Sequence, residues 1–242
     1  MNHVQTLEKL KSMRLFGMER AFQTTLETRT DYTPDQMITY LVETEWEDRQ
    51  DRKLRRYLKS ARFRYQASVE EVSFDPTRNL DKNAFIRLAD TSFITKKENV
   101  IITGLTGTGK SFLASALGHQ ACIKGHKSLY FSCGKLFAQL LSARADRSHH
   151  KLIDKIERSD LLILDDFGLW PFDQQSRLDL LEIIEDRHGR KSTIIASQIP
   201  VANWYEVIGD QTIADAVLDR LVHQAHRIQL QGESMRKNKR KS

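Results

Sequence analysis

The chain has 242 residues, 40% hydrophobic and 29% charged, with a formal net charge of +6. That balance suits a globular protein in water and allows an acidic partner. No apolar run approaches the ~20 residues of a membrane-spanning helix, there is no signal-peptide core at the N-terminus, and two cysteines, Cys122 and Cys133, make neither a disulfide framework nor a metal centre; the expectation is a cytoplasmic protein with no membrane partner.

Residues 1–67 read as a small all-helical domain. Leu7, Leu10, Met13, Leu15, Met18, Phe22 and Leu26 recur at roughly helical spacing. Thr33 and Pro34 have the residue types of an N-cap and a first helical position. The helix that starts there carries Met37, Ile38, Leu41, Val42 and Trp46, then Leu54, Tyr57 and Leu58. An acidic patch of Glu43, Glu45, Glu47 and Asp48 gives way to Arg49, Arg52, Lys53, Arg55, Arg56, Lys59, Arg62 and Arg64, with Asp51 the only acid among them. Such a change of sign over a few residues suggests an interaction surface, and a run of this kind can neutralise nucleic-acid phosphates whatever the base sequence.

Residues 68–98 read as a connector. Phe74-Asp75-Pro76 breaks any helix, and 82–93 has the pattern of a short one with Phe85, Ile86 and Leu88 inward.

From residue 99 onward, strand-like runs at 100–103, 128–132, 161–165, 193–197 and 227–230 alternate with helical patterns at 110–122, 134–144, 149–158, 174–189 and 212–225. Alternation of this kind predicts an α/β domain, a parallel sheet sandwiched by crossover helices, running to a basic tail at 242.

The first of these strands leads into Gly104-Leu105-Thr106-Gly107-Thr108-Gly109-Lys110-Ser111, followed by Phe112. This is the P-loop pattern in its strand–loop–helix context. Glycines let successive N–H groups point at one anion, and the following helix adds partial positive charge there. Lys110 is suited to the β- and γ-phosphates of ATP, and the Ser111 hydroxyl to Mg²⁺. About 55 residues on, Leu161-Leu162-Ile163-Leu164-Asp165-Asp166 ends a buried strand in two acids, the Walker B pattern. Asp165 would hold Mg²⁺ through water. Asp166, one residue further and so on the opposite side of the strand, could orient or deprotonate the attacking water. The strand at 193–197 ends in Ser197 and Gln198, either of which could bond the γ-phosphate or the water. Arg220 lies late in an apolar helix, and Arg236 follows Gly232-Glu233-Ser234-Met235.

The order of P-loop, Leu-Leu-Ile-Leu-Asp-Asp-Phe-Gly, Ser-Gln-Ile-Pro, Leu-Asp-Arg-Leu and Gly-Glu-Ser-Met-Arg resembles the IstB-like transposition helpers. These are P-loop AAA+ ATPases close to the DnaC-like helicase loaders and DnaA-type initiators. The resemblance implies roles residue by residue: Lys110 and Ser111 as Walker A, Asp165 and Asp166 as Walker B, Gln198 as sensor 1, Arg220 as an arginine finger and Arg236 as sensor 2. Asp166 and Gln198 depart from the Glu and Asn that the family often carries. The resemblance also implies a cognate transposase, ATP-dependent self-assembly around target duplex DNA, and N-terminal helices serving DNA and self-assembly contacts. A helicase loader is the competing reading; it prefers single strands, for which Tyr57, Phe63 and Tyr65 offer stacking surfaces. A small-molecule kinase and a nucleotide-gated scaffold without hydrolysis are the others.

Overall fold

The computed structural model describes residues 2–235. Two compact units divide between Arg56 and Tyr57. The first holds α1 (His3–Ser12), α2 (Phe16–Thr28) and most of α3 (Pro34–Ala61), whose last turns belong to the second.

Within the first unit, the single stripe expected from Leu7 to Leu26 is two helices, because Arg14 turns to φ 60° between them. Glu45 of α3 is buried and accepts N–H bonds from Gly17 (2.8 Å) and Met18 (3.3 Å), two donors of the first turn of α2 that have no partner within their own helix. Gly17 is needed for this contact: a Cβ there would fall 2.5 Å from Glu45 Cα and from Thr44 O. Burial raises the Glu45 pKa, but its bonds from Arg49 and from the Gly17 and Met18 N–H groups outweigh this and hold it below the ordinary value. The start of α3 is at Thr33 and Pro34, as expected, and is closed by a capping box. Thr33 Oγ1 accepts from Gln36 N–H (3.4 Å), and Gln36 Oε1 accepts from Thr33 N–H (3.0 Å).

The second unit is a parallel sheet with helices on both faces. Its strands are β1 (Asn99–Thr103), β2 (Ser128–Ser132), β3 (Leu161–Phe167), β4 (Ser192–Ser197) and β5 (Ala225–Gln229), in spatial order β2-β3-β4-β1-β5. Its helices are α4 (Lys82–Ala89), α5 (Ser92–Lys96), α6 (Lys110–Ile123), α7 (Cys133–Ala145), α8 (His149–Glu157), α9 (Gln174–Arg187), α10 (Trp204–Ile208) and α11 (Gln211–Val222). The central strands are buried on both faces, so they read as apolar runs rather than as alternation. Val100, Ile102, Ile163 and Ile194 pack with α4, α5 and α6 on one face. Ile101, Leu162, Leu164 and Ile195 pack with α7 to α11 on the other.

Residues 68–98, expected as a connector, contribute Val72, Leu80, Phe85, Leu88, Phe93 and Ile94 to the first of these cores. Phe63, expected in the N-terminal domain, packs against the same core. The division between the two compact units therefore lies ahead of 67, and the second unit begins within α3. The helix expected over 82–93 breaks at Thr91 (φ 64°). The last predicted helix ends at Val222 rather than 225, because the chain from Ala225 pairs with β1.

Candidate functional site

The site forms at the carboxyl ends of β1, β3 and β4, where open parallel sheets bind ligands. After Thr103 the chain curls through Gly107 (φ 87°) and Gly109 (φ 97°), which caps α6 in the left-handed conformation. The Thr108 N–H closes the loop on Leu105 O (3.3 Å), and Lys110 Nζ donates to the same carbonyl (2.9 Å). Two distant segments fasten the loop. Met235 N–H donates to Gly107 O (3.0 Å), and Arg78 Nη2 donates to Thr108 O (3.0 Å).

β3 brings the two acids beside this loop. The ladder between β3 and β4 slips between Leu164 and Phe167, and Asp166 takes φ 54°. A side chain in that conformation is strained, and such strain collects at functional sites. The slip corrects the expectation that Asp165 and Asp166 face opposite sides. Alternation holds only in a regular strand, and here one guanidinium nitrogen, Arg64 Nη1, lies 3.4 Å from Asp165 Oδ2 and 3.1 Å from Asp166 Oδ2. Asp165 is 1% exposed. It also accepts from the Tyr130 hydroxyl, and its Oδ1 accepts from Asp166 N–H (2.9 Å). Burial, and the Asp165 charge beside it, push the Tyr130 pKa up, so the phenol stays a donor. Burial pulls Arg64 down, but Asp166 and the groups around it outweigh this, and its pKa is raised.

Gln198, just past β4, accepts from Thr106 Oγ1, so the structure brings it to the P-loop. Ser197, the other candidate on that strand, is consumed internally: it donates to Phe167 O (2.7 Å) and accepts from Ile199 N–H (3.0 Å). Lys110, Ser111, Asp166, Gln198, Arg64 and Arg78 all border one cleft of about 480 Å³.

The residues fit ATP with Mg²⁺. The glycine-bounded loop opens onto the cleft beside a lysine, and the donors opposite are hydroxyl and carboxylate oxygens, the hard ligands that Mg²⁺ takes. Arg220 is elsewhere. It donates to Ala216 O (2.7 Å) and to Glu185 Oε1 (2.9 Å), and its carbonyl accepts from Asn99 Nδ2 (3.1 Å) at the start of β1. It thus sits at the amino end of the strand whose carboxyl end carries the P-loop, a strand length away from the cleft of its own chain. Arg236 lies outside the described residues.

The basic segment is divided. Arg49 pairs with Glu45 (2.6 Å) and Arg52 with Asp48 (2.6 Å), within the acidic patch that precedes them. Arg64, expected among the nucleic-acid contacts, is instead held by the Walker B acids. Its neighbours Phe63 and Tyr65 pack edge-on against Tyr130 and tilted against Phe112 within the protein (centroids 6.4 and 6.2 Å), not in an open aromatic platform for bases. Arg78 lies in the stretch expected as a connector, with no local pattern that marks it for the site. It is 7% exposed, and its Nε has no hydrogen-bond partner among the described residues. Burial lowers its pKa, and nearby Asp75 opposes this. Only its place after the helix-breaking Asp75-Pro76 pair hinted that the chain turns there.

Among the described residues no helix is long and apolar enough to cross a membrane. The model of the family described as IstB-like ATP binding protein matches residues 8–242. An insertion sequence ATP-binding protein of Sinorhizobium fredii is 47% identical over 98% of this chain and 97% of its own. The IS21 ATP-binding protein of Pseudomonas aeruginosa is 30% identical over 98% and 89%. Among solved structures, AMPPCP-bound DnaA from Aquifex aeolicus superposes with a TM-score of 0.60 at 16% identity, covering 74% of this chain and 56% of that one. The DnaC helicase loader gives 0.53 at 19%, covering 73% and 99%. These likenesses are of fold, and the sheet with its flanking helices is the P-loop AAA+ architecture. The chain belongs to the IstB-like ATP binding protein family.

Proposed function

We propose that the chain is an ATPase that assembles with further copies on duplex DNA and assists a partner transposase in capturing a target. The observation that carries the ATPase part is the convergence of Lys110, Ser111, Asp166 and Gln198 on one cleft, with buried Asp165 tied to the cleft residue Arg64. In this reading Lys110 leaves the Leu105 carbonyl for the β- and γ-phosphates. Ser111 and, through water, Asp165 would hold Mg²⁺, which when bound would neutralise phosphate charge. Asp166 orients or deprotonates the attacking water, and Gln198, already at Thr106, borders the γ-phosphate. The position of Arg220 at the far end of β1 supports action on a neighbouring copy's nucleotide rather than its own. The insertion-sequence names of the relatives support a transposase partner. The basic stretch from Lys53 to Arg62 supports contact with DNA phosphates of any sequence.

Nucleotide binding and the size of the DNA-bound complex test the reading. Lys110→Ala should bind ATP poorly and fail to assemble on DNA; assembly with ATP like the wild type would sink the proposal. Arg220→Ala should bind ATP yet hydrolyse it on the order of 10³-fold more slowly. Mixed with Lys110→Ala under proven subunit exchange, it should recover part of the activity, because some interfaces then pair an intact loop with an intact arginine. No recovery would confine Arg220 to its own chain.

A further inference from the structure

We infer that Arg64 is a tethered cation that competes with the metal for the Walker B carboxylates. The inference rests on the nucleotide reading of the cleft. The Arg64 guanidinium bridges Asp165 and Asp166 through a single nitrogen, at 3.4 and 3.1 Å, the place between two carboxylates where a divalent ion or its water would sit. Asp165 has little capacity left. Its Oδ1 accepts from Asp166 N–H, and its Oδ2 already serves the Tyr130 hydroxyl as well as Arg64. A metal-bound water donating to Asp165 Oδ2 therefore takes the place of Arg64 rather than joining it.

The backbone is built for a side-chain swing. Arg64 lies in irregular chain past the end of α3. Phe63 on one side is wedged at α6, so closely that a Cβ on Gly118 would fall 2.5 Å from its ring. Tyr65 on the other side rests on Phe112. Both anchors hold the main chain, while the Arg64 side chain is 40% exposed, its guanidinium over the Tyr65 ring at 5.9 Å from the centroid. The guanidinium can thus leave the carboxylates without any movement of the fold. With Arg64 in place one of the two negative charges is balanced and a metal alone must displace the arginine, so it binds weakly. A metal that arrives with a nucleotide brings phosphate oxygens and the Lys110 contact as well, and displaces the arginine. Arg64 thereby makes metal entry conditional on nucleotide.

Two binding measurements test this on the full chain. The first titrates Mn²⁺ alone, followed by its electron paramagnetic resonance signal. The second titrates a fluorescent ATP analogue with Mg²⁺ or with EDTA. Arg64→Gln should bind Mn²⁺ alone about tenfold more tightly than the wild type, the lower range for loss of a charge-assisted contact because solvent screens the half-exposed side chain. It should bind the analogue more tightly with Mg²⁺ by a similar factor and change little with EDTA. Arg64→Lys, which keeps a cation, should stay near the wild type. Weaker Mg²⁺-dependent binding by Arg64→Gln would make Arg64 a phosphate ligand and overturn the inference, as would unchanged Mn²⁺ affinity. Should Arg64→Gln not fold, Arg64→Met, which keeps the apolar stem without the cation, decides by the same two titrations: it too must bind Mn²⁺ alone about tenfold more tightly than the wild type, and an unchanged affinity overturns the inference. If the wild type binds no better than Lys110→Ala, the nucleotide reading itself falls. If those two differ but Arg64→Gln matches the wild type, only the role of Arg64 falls.

Discussion

Gly107→Ala tests whether the post-β5 loop is part of the P-loop's structure. Gly107 has φ 87°, and a Cβ there would fall against Ser234 Oγ, with Ser234 Cβ at 2.6 Å and Cα at 3.0 Å. Two costs follow. A non-glycine residue in the left-handed region costs roughly 1–2 kcal/mol. Forcing a side chain into filled space costs roughly 1–3 kcal/mol. The substitution should therefore destabilise the second unit by about 2–5 kcal/mol and weaken nucleotide binding, since relief of the clash pulls Met235 N–H off Gly107 O. The second cost belongs to the Ser234 side chain, so Ser234→Gly in the same chain should return about 1–3 kcal/mol and leave the backbone strain. Urea unfolding read from the fluorescence of buried Trp204, with nucleotide binding on all four proteins, closes the cycle. A double variant no more stable than Gly107→Ala would refute the contact and with it the structural role of Ser234.

Asp166→Asn keeps the shape and loses the carboxylate; ATP should still bind while turnover falls by ~10²–10⁴-fold, and an unchanged rate would remove Asp166 from the chemistry. Neutralising Arg55 and Arg56 should weaken binding to all duplexes alike, and the slope of log K against log[salt] should become shallower by roughly one per lost phosphate contact; loss for one sequence only would indicate base readout. Glu45 has a lowered pKa in the folded chain, so the stability it contributes is present above the ordinary carboxylate range and is lost as pH falls through the depressed folded value. Glu45→Gln should cost the first unit on the order of 1–3 kcal/mol at pH 7, and a denaturation series should show the difference shrinking in acid; a constant difference across pH would deny the charge a role.

The sequence by itself determined the nucleotide machinery. Its P-loop and Walker B acids are short local patterns whose residue types follow from the backbone they need and the ligand they hold, and their flanking apolar runs fix the strands that deliver them. Gln198 was legible for the same reason, as the polar end of an apolar strand. Tertiary structure decided what depends on which surfaces meet. Arg64 reads as the last member of a basic run, and Arg78 as a residue in a connector; neither has a local pattern that says which carboxylate or carbonyl it will face, because those partners lie 101 and 30 residues away. The slip that turns Asp166 toward the same side as Asp165 is likewise invisible in an apolar run ending in two acids, since a bulge is set by how β3 must register against β4. The compact unit starts within α3 for the same kind of reason: Phe63, Val72 and Leu80 carry no mark of the core they join, and only the packed sheet supplies the apolar face that makes their burial favourable.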